Sequence, residues 1–154
     1  VGAPNHSRLL YYFTPQDGLA DVVSGERLPP DASVPTTRFG VLRRPSRLVW
    51  LSDLAELTPQ QAAGRAAVRP GVRSTADTLA RVTVSVPDAQ YWPRWADRHG
   101  ISQRRQAAFD RDADGLSGRW WVVARAIPAS EWLAVEPATS RLRSDWADAG
   151  RWRN

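Results

Sequence analysis

Aromatic, arginine and carboxylate residues occur in this chain in the combination that a nucleotide site needs. Leu9-Leu10-Tyr11-Tyr12-Phe13-Thr14 is an apolar run ending on a hydroxyl residue, and Leu48-Val49-Trp50-Leu51-Ser52 is a second one carrying an aromatic and a serine. Tyr11, Tyr12, Trp50, Trp120 and Trp121 are candidate stacking groups, since phenol and indole rings offer a π-face with a polar handle. Arg47, Arg81 and Arg125 are candidate phosphate partners, because the guanidinium is a planar fork of donors that stays charged. Glu131 is the preferred carboxylate for facing positive charge at an anomeric carbon, and Glu136 is the next. Buried core aromatics and exposed surface charges are the competing reading of the same residues.

The elements that must position these groups are legible as patterns. Arg8 to Thr14 reads as a buried strand. Thr14-Pro15-Gln16-Asp17 then places a hydroxyl at a helix N-cap and proline at the first helical position, and the free amides of such a start favour an anion. If that start adjoins Tyr12 and Trp50, the three enclose one concave surface. Leu19, Val22 and Val23 fall at helical spacing, with Gly25 as the stop. Residues 29 to 47 read as a proline-interrupted loop, a lid or a surface excursion. Arg47 to Ser52 is the second strand, and Thr58-Pro59-Gln60-Gln61 opens a helix expected to run to Pro70.

Leu79 to Val86 alternates, with Val82, Val84 and Val86 on one face and Arg81, Thr83 and Ser85 on the other, the pattern of a half-buried strand. Trp92, Trp95, Ala96 and His99 recur at helical spacing up to Gly100, and His99 reads as a structural histidine of that helix. Ser102 caps a further helix through Phe109. Arg119 to Ala126 and Glu131 to Glu136 complete the strands, and Trp120 and Trp121, being adjacent, must face opposite sides of a sheet, so at most one of them belongs to a pocket. Residues 137 to 154 form an Arg/Trp-rich tail with a helical turn near Trp146. The expected fold is a single α+β domain over residues 1 to 154: a small, twisted, mainly antiparallel sheet with short peripheral helices.

Composition excludes several chemistries. The chain of 154 residues has no cysteine, hence no disulfide, thiolate nucleophile or cysteine-bound metal, and two histidines cannot make a histidine-rich metal site. No glycine-rich dinucleotide fingerprint follows a strand, no P-loop is present, and no Ser-His-Asp spacing is identifiable. No apolar run reaches the roughly 20 residues of a membrane span, and the N-terminus lacks the order of a signal peptide, so a soluble, cytoplasmic protein without a membrane partner is expected. The chain begins at Val1 and holds no methionine, so a start residue or upstream segment is expected to be missing. All 21 basic residues are arginine and the net charge is +5. Together with eight tryptophans this suits a nucleic-acid partner, although absence of lysine is also what a GC-rich genome writes through its codons.

The order Leu-Tyr-Tyr-Phe-Thr, then Gly18 to Pro30 reading Gly-Leu-Ala-Asp-Val-Val-Ser-Gly-Glu-Arg-Leu-Pro-Pro, then Val49-Trp50-Leu51-Ser52, resembles the opening of the ADP-ribosyltransferase superfamily, including its DNA-targeting toxins and the related RNA 2′-phosphotransferases. Those proteins begin with a Tyr-His-x-Thr strand, a helix ending in Gly-Leu-x-Pro, and a strand ending in a hydroxyl residue. The resemblance covers the first third of the chain and implies a split sheet and NAD as substrate, with DNA, RNA or a protein as acceptor. It puts Tyr12 where the family has a histidine that contacts the ribose or amide of NAD, and Trp50 where it has tyrosine or histidine. Tyr11, Thr14, Ser52, Arg47, Arg81 and Arg125 are then the NAD-binding candidates, and Glu131 the glutamate that orients the acceptor. The two replaced positions leave open a non-catalytic nucleic-acid or protein-binding module on the same fold.

Overall fold

Burial at successive positions, rather than alternation, marks the central strands. In a computed structural model that describes residues 8–30, 32–34, 37–38, 41–42, 46–57 and 79–136, β1 (Leu9–Pro15) and β7 (Leu79–Ser85) form the longest ladder, antiparallel from Leu9↔Ser85 to Pro15↔Leu79. Most of both is buried, Tyr12 to Thr14 of β1 and Ala80 to Val84 of β7 among them. Between them in the chain come α1 (Gln16–Gly25), the short strands β2 (Arg27–Leu28), β3 (Ala32–Val34), β4 (Thr37–Arg38) and β5 (Val41–Leu42), and β6 (Ser46–Ser52). After β7 follow β8 (Gln90–Tyr91), α2 (Trp92–Arg98), α3 (Gln103–Asp112), a 3₁₀ turn Leu116–Arg119, β9 (Trp120–Val123), β10 (Ile127–Pro128), a second 3₁₀ turn Ala129–Glu131, and β11 (Trp132–Glu136).

The main sheet runs β11-β7-β1-β6-β9-β8, with β3 added against β6, and its pairings are antiparallel. The α+β class, the mainly antiparallel sheet and all five expected long strands are present. The β1–β6 ladder is registered at one pair alone, Tyr11↔Ser52, while the first half of β6 pairs with β3 through Ala32↔Leu48 to Val34↔Ser46. That single pair is a seam. It joins a β11-β7-β1 half to a β6-β9-β8 half.

Each face has its own core. On one, Leu10 and Tyr12 of β1, Val82 and Val84 of β7 and Val49 and Leu51 of β6 are closed over by Leu19 and Val22 of α1 and by the β2–β10 pair, whose Leu28 and Ile127 are wholly buried. On the other, Leu48, Trp50, Trp120 and Val122 meet Trp92, Trp95 and Ala96 of α2. Trp50 packs 4.7 Å from Trp92 and 5.3 Å from Trp120 between ring centroids. Such contacts add about 0.5–1.5 kcal/mol per pair beyond the area they bury. Ser102 Oγ accepts from the Arg105 amide at 3.2 Å, the expected cap of α3.

Three local expectations need correction. Thr14 does not cap α1: it stays in the ladder opposite Ala80 with its side chain 3% exposed, and the helix starts at Gln16 after an N-cap Pro15 that offers no side-chain acceptor. The helix ends on Glu26 in the left-handed region (φ 53°) rather than on Gly25. Residues 29 to 47 are not a simple loop, because β3 pairs with β6 and Thr37↔Leu42 closes a small β4–β5 hairpin. At Gly18, where α1 leaves the end of β1, a Cβ would lie 3.2 Å from Thr14 Oγ1, a tight contact. The helix expected from Thr58 and the Arg/Trp tail lie outside the described residues. Among the described residues no helix is long and apolar enough to cross a membrane.

Candidate functional site

The seam gathers the polar residues of the sheet. Directly paired residues of antiparallel strands share a face, so Tyr11 stands in one row with Ser52 of β6 and Thr83 of β7, and Arg81 stands in the next row with Phe13 and Glu136. A bulge between Trp132 and Ala134 sets the register that brings Glu136 opposite Arg81. This is the face that β7 presents as Arg81-Thr83-Ser85. It is polar but not solvated, for Arg81 is 8% and Thr83 9% exposed.

A guanidinium at that depth is costly unless its donors and charge are met. Arg81 Nη2 donates to Glu136 Oε2 at 2.5 Å and Nη1 donates to the carbonyl of Ala55. Its Cζ lies 5.0 Å from the centroid of the Tyr11 ring, within cation–π range. Nε is buried and has no hydrogen-bond partner among the described residues. The carbonyl of Ala55 reaches Arg81 because the chain turns sharply after β6, where Ser52 Oγ accepts from the Leu54 amide at 3.1 Å. Glu136 is 37% exposed, so the pair links a buried cation to a carboxylate at the solvent boundary. The result is a fixed anion, an arginine whose buried Nε is unpartnered among the described residues, and a half-buried phenol ring.

Tyr11, Ser52 and Arg81 are thus the predicted residues that the fold brings together, with Glu136 as their carboxylate. The others go elsewhere. Tyr12 and Trp50, each 1% exposed, lie in the cores of opposite sheet faces and cannot enclose one concave surface with the start of α1. The physical reason is the register: Tyr11↔Ser52 puts Trp50 on the Tyr11 face and turns Tyr12 away. Arg47 is exposed on β6 opposite Ser33.

Glu131 does not begin a strand but ends the second 3₁₀ turn, where Arg125 Nη1 and Nη2 donate to its two oxygens at 2.8 and 2.9 Å. Arg125 also donates to both oxygens of Asp88, at 2.7 and 2.8 Å. These hydrogen bonds hold the Asp88 carboxyl below the usual carboxylate range. Arg125 and Glu131 therefore serve as a clamp between the turn before β8 and the turn before β11. Trp120 and Trp121 do face opposite sides: the first is wholly buried, and the second donates Nε1–H to Asp53 Oδ2 at 3.4 Å. His99 stacks on Trp95 at 3.9 Å and makes an Nδ1 hydrogen bond of 2.8 Å with the Trp95 carbonyl, a structural role.

Two contributors escaped sequence reasoning. Thr83 was visible as part of an alternating polar face, but alternation alone reads as a solvated face. Asp53 follows a strand with no motif around it, and its role appears only through its neighbours Arg8, Arg119 and Trp121. Among the described residues no cluster of three or more histidine or acidic side chains could hold a metal ion. Compared with known proteins, the chain matches no family model, no curated protein and no solved structure.

Proposed function

We propose that the seam between β1 and β6 is a nucleotide site, and that the chain is an ADP-ribosyltransferase-like protein that takes NAD there and passes ADP-ribose to a nucleic-acid or protein acceptor. The observation that carries this reading is Arg81, buried beside the Tyr11 ring and holding Glu136 in place at the solvent boundary. The mainly antiparallel sheet, continuous but joined between β1 and β6 at a single registered pair, supports the architecture that the resemblance of the first third of the chain implies. In the reaction, the bond from the anomeric carbon to the nicotinamide nitrogen breaks, nicotinamide leaves as the neutral base with the bonding pair, and an acceptor N–H or O–H nucleophile forms the new bond and releases its proton to solvent. A carboxylate beside that carbon stabilises the cationic transition state, and its preorganisation by Arg81 avoids reorganisation during the step. Tyr11 offers a ring face and a hydroxyl to the ligand, and Ser52 a hydroxyl. NAD and nucleic acids are both present in cytoplasm, the compartment this reading implies.

The test is release of nicotinamide from NAD in the presence of DNA, RNA and protein acceptors. Turnover should fall roughly 10²-fold or more in Glu136→Gln, which keeps the shape and removes the charge. A second reading, a binding module on the same fold, is favoured by the commitment of both carboxylates to arginines, Glu131 to Arg125 and Glu136 to Arg81. Nucleotide binding without nicotinamide release would select it.

A further inference from the structure

The turn after β6 serves two places at once. Ser52 belongs to the seam and the Ala55 carbonyl to Arg81, but Asp53, between them, turns to the opposite sheet face. There its carboxylate, 14% exposed, lies between two arginines that are well exposed: Arg8 Nη1 is 3.7 Å from Oδ2 and Arg119 Nη1 3.6 Å from Oδ1, with side chains 59% and 58% exposed. At those separations neither arginine is hydrogen-bonded to the carboxylate, and Oδ1 has no hydrogen-bond partner among the described residues. One carboxylate therefore stands between two exposed guanidinium groups without hydrogen-bonding to either, a local excess of one positive charge.

Beside them is an aromatic step. Trp121 and Tyr91, paired across β9 and β8, lie 5.4 Å apart between ring centroids, and both are partly exposed. The Arg8 guanidinium lies 4.7 Å over the Trp121 ring, and Tyr91 Oη donates to the Gly118 carbonyl at 2.8 Å, so each group is held in place. Arg8, 59% exposed, extends the aromatic step with a cation, and unstacked bases pack on arginine planes as they do on aromatic rings.

We propose that Arg8, Arg119, Trp121 and Tyr91 form a contact surface for single-stranded nucleic acid, with phosphates on the two arginines and a base on the Arg8–Trp121 stack. Charge and stacking suit this partner, because the patch offers a pair of exposed cations for phosphates beside one aromatic step for a base. Duplex DNA fits less well, since its bases are already stacked and unavailable to the Arg8 plane. The inference goes beyond the NAD reading and stands without it, because no NAD enters its test.

The experiment is fluorescence anisotropy of labelled single-stranded DNA and RNA against the whole chain over a range of salt. Binding is expected to weaken with salt, with each neutralised phosphate contributing about 0.7 to the logarithmic slope. Arg8→Gln and Arg119→Gln should each lower the slope by about that amount and weaken binding several-fold. Each single replacement leaves Asp53 one cation, and circular dichroism checks the fold. An abasic strand of equal length should bind about 5- to 150-fold more weakly, the loss of one stacked base, and this arm needs no variant to fold. Equal binding of the abasic strand, or of duplex, overturns the proposal in favour of a general polyanion surface. Loss of binding in Arg104→Gln or Arg111→Gln of α3 without loss in Arg8→Gln moves the contact to that helix and overturns it too, as does the absence of binding to any oligonucleotide. DNA and RNA are compared directly, and a preference for either supports the surface.

Discussion

Replacing Trp50 separates the core from the site, and its outcome depends on two opposed effects of similar size. The indole is 1% exposed and its Nε1–H is buried with no hydrogen-bond partner among the described residues. An orphaned buried donor costs about 1–3 kcal/mol. Trp50→Phe removes that cost but leaves a void of roughly 40 Å³, worth about 1 kcal/mol at 24 cal/mol per Å³, and loses a further ~1 kcal/mol of apolar burial. The two nearly cancel, so Trp50→Phe should lie within about 1 kcal/mol of the parent. Trp50→Ala has no such offset and should cost about 3–5 kcal/mol. Urea unfolding reads both, as shifts in midpoint at constant slope. The Phe variant should also bind NAD like the parent, since the ring lies among Trp92 and Trp120. A cost above about 2 kcal/mol for Trp50→Phe would refute the reasoning, because it would mean that the N–H has a partner in solution.

Further outcomes follow from the same contacts. Asp88, whose carboxyl is held low by Arg125, contributes stability that is present above the ordinary carboxylate range and is lost as pH falls through its lowered folded value. Between pH 7 and 3, roughly the span of these ionisations, the parent should lose more stability than Asp88→Asn in parallel urea titrations. The difference should be under about 1 kcal/mol because the pair is half exposed. Ser102→Ala, which deletes the acceptor for the Arg105 amide, should lower stability by about 1 kcal/mol in the same assay. Gly18→Ala should lower it as well, despite alanine's better helix propensity, because the new Cβ meets Thr14 Oγ1.

How much of this was readable beforehand divides along a physical line. The strands and the α3 cap follow from local pattern, and so the β1, β6, β7, β9 and β11 segments were in place from alternation, apolar runs and turn signals. Site membership depends on register, which is non-local. Tyr11 and Tyr12 are indistinguishable as sequence, and one pair, Tyr11↔Ser52, decides that the first faces Arg81 and the second the core under α1. The same holds for the carboxylates. Glu131 and Glu136 differ by five positions, yet the bulge in β11 gives Arg81 to Glu136, and the turn before it gives Arg125 to Glu131. Thr14 shows a local rule losing to a tertiary one, for a hydroxyl that looks like a cap is kept by the ladder with β7.

The most direct test of the seam as a nucleotide site is calorimetric titration of NAD into the parent, Tyr11→Ala, Trp50→Phe and Glu131→Gln. The account predicts that the parent binds, that Tyr11→Ala folds but loses most of the affinity with the ring that Arg81 covers, and that Trp50→Phe and Glu131→Gln bind as the parent does. Absence of binding in the parent, or loss in Glu131→Gln with Tyr11→Ala unaffected, would contradict it.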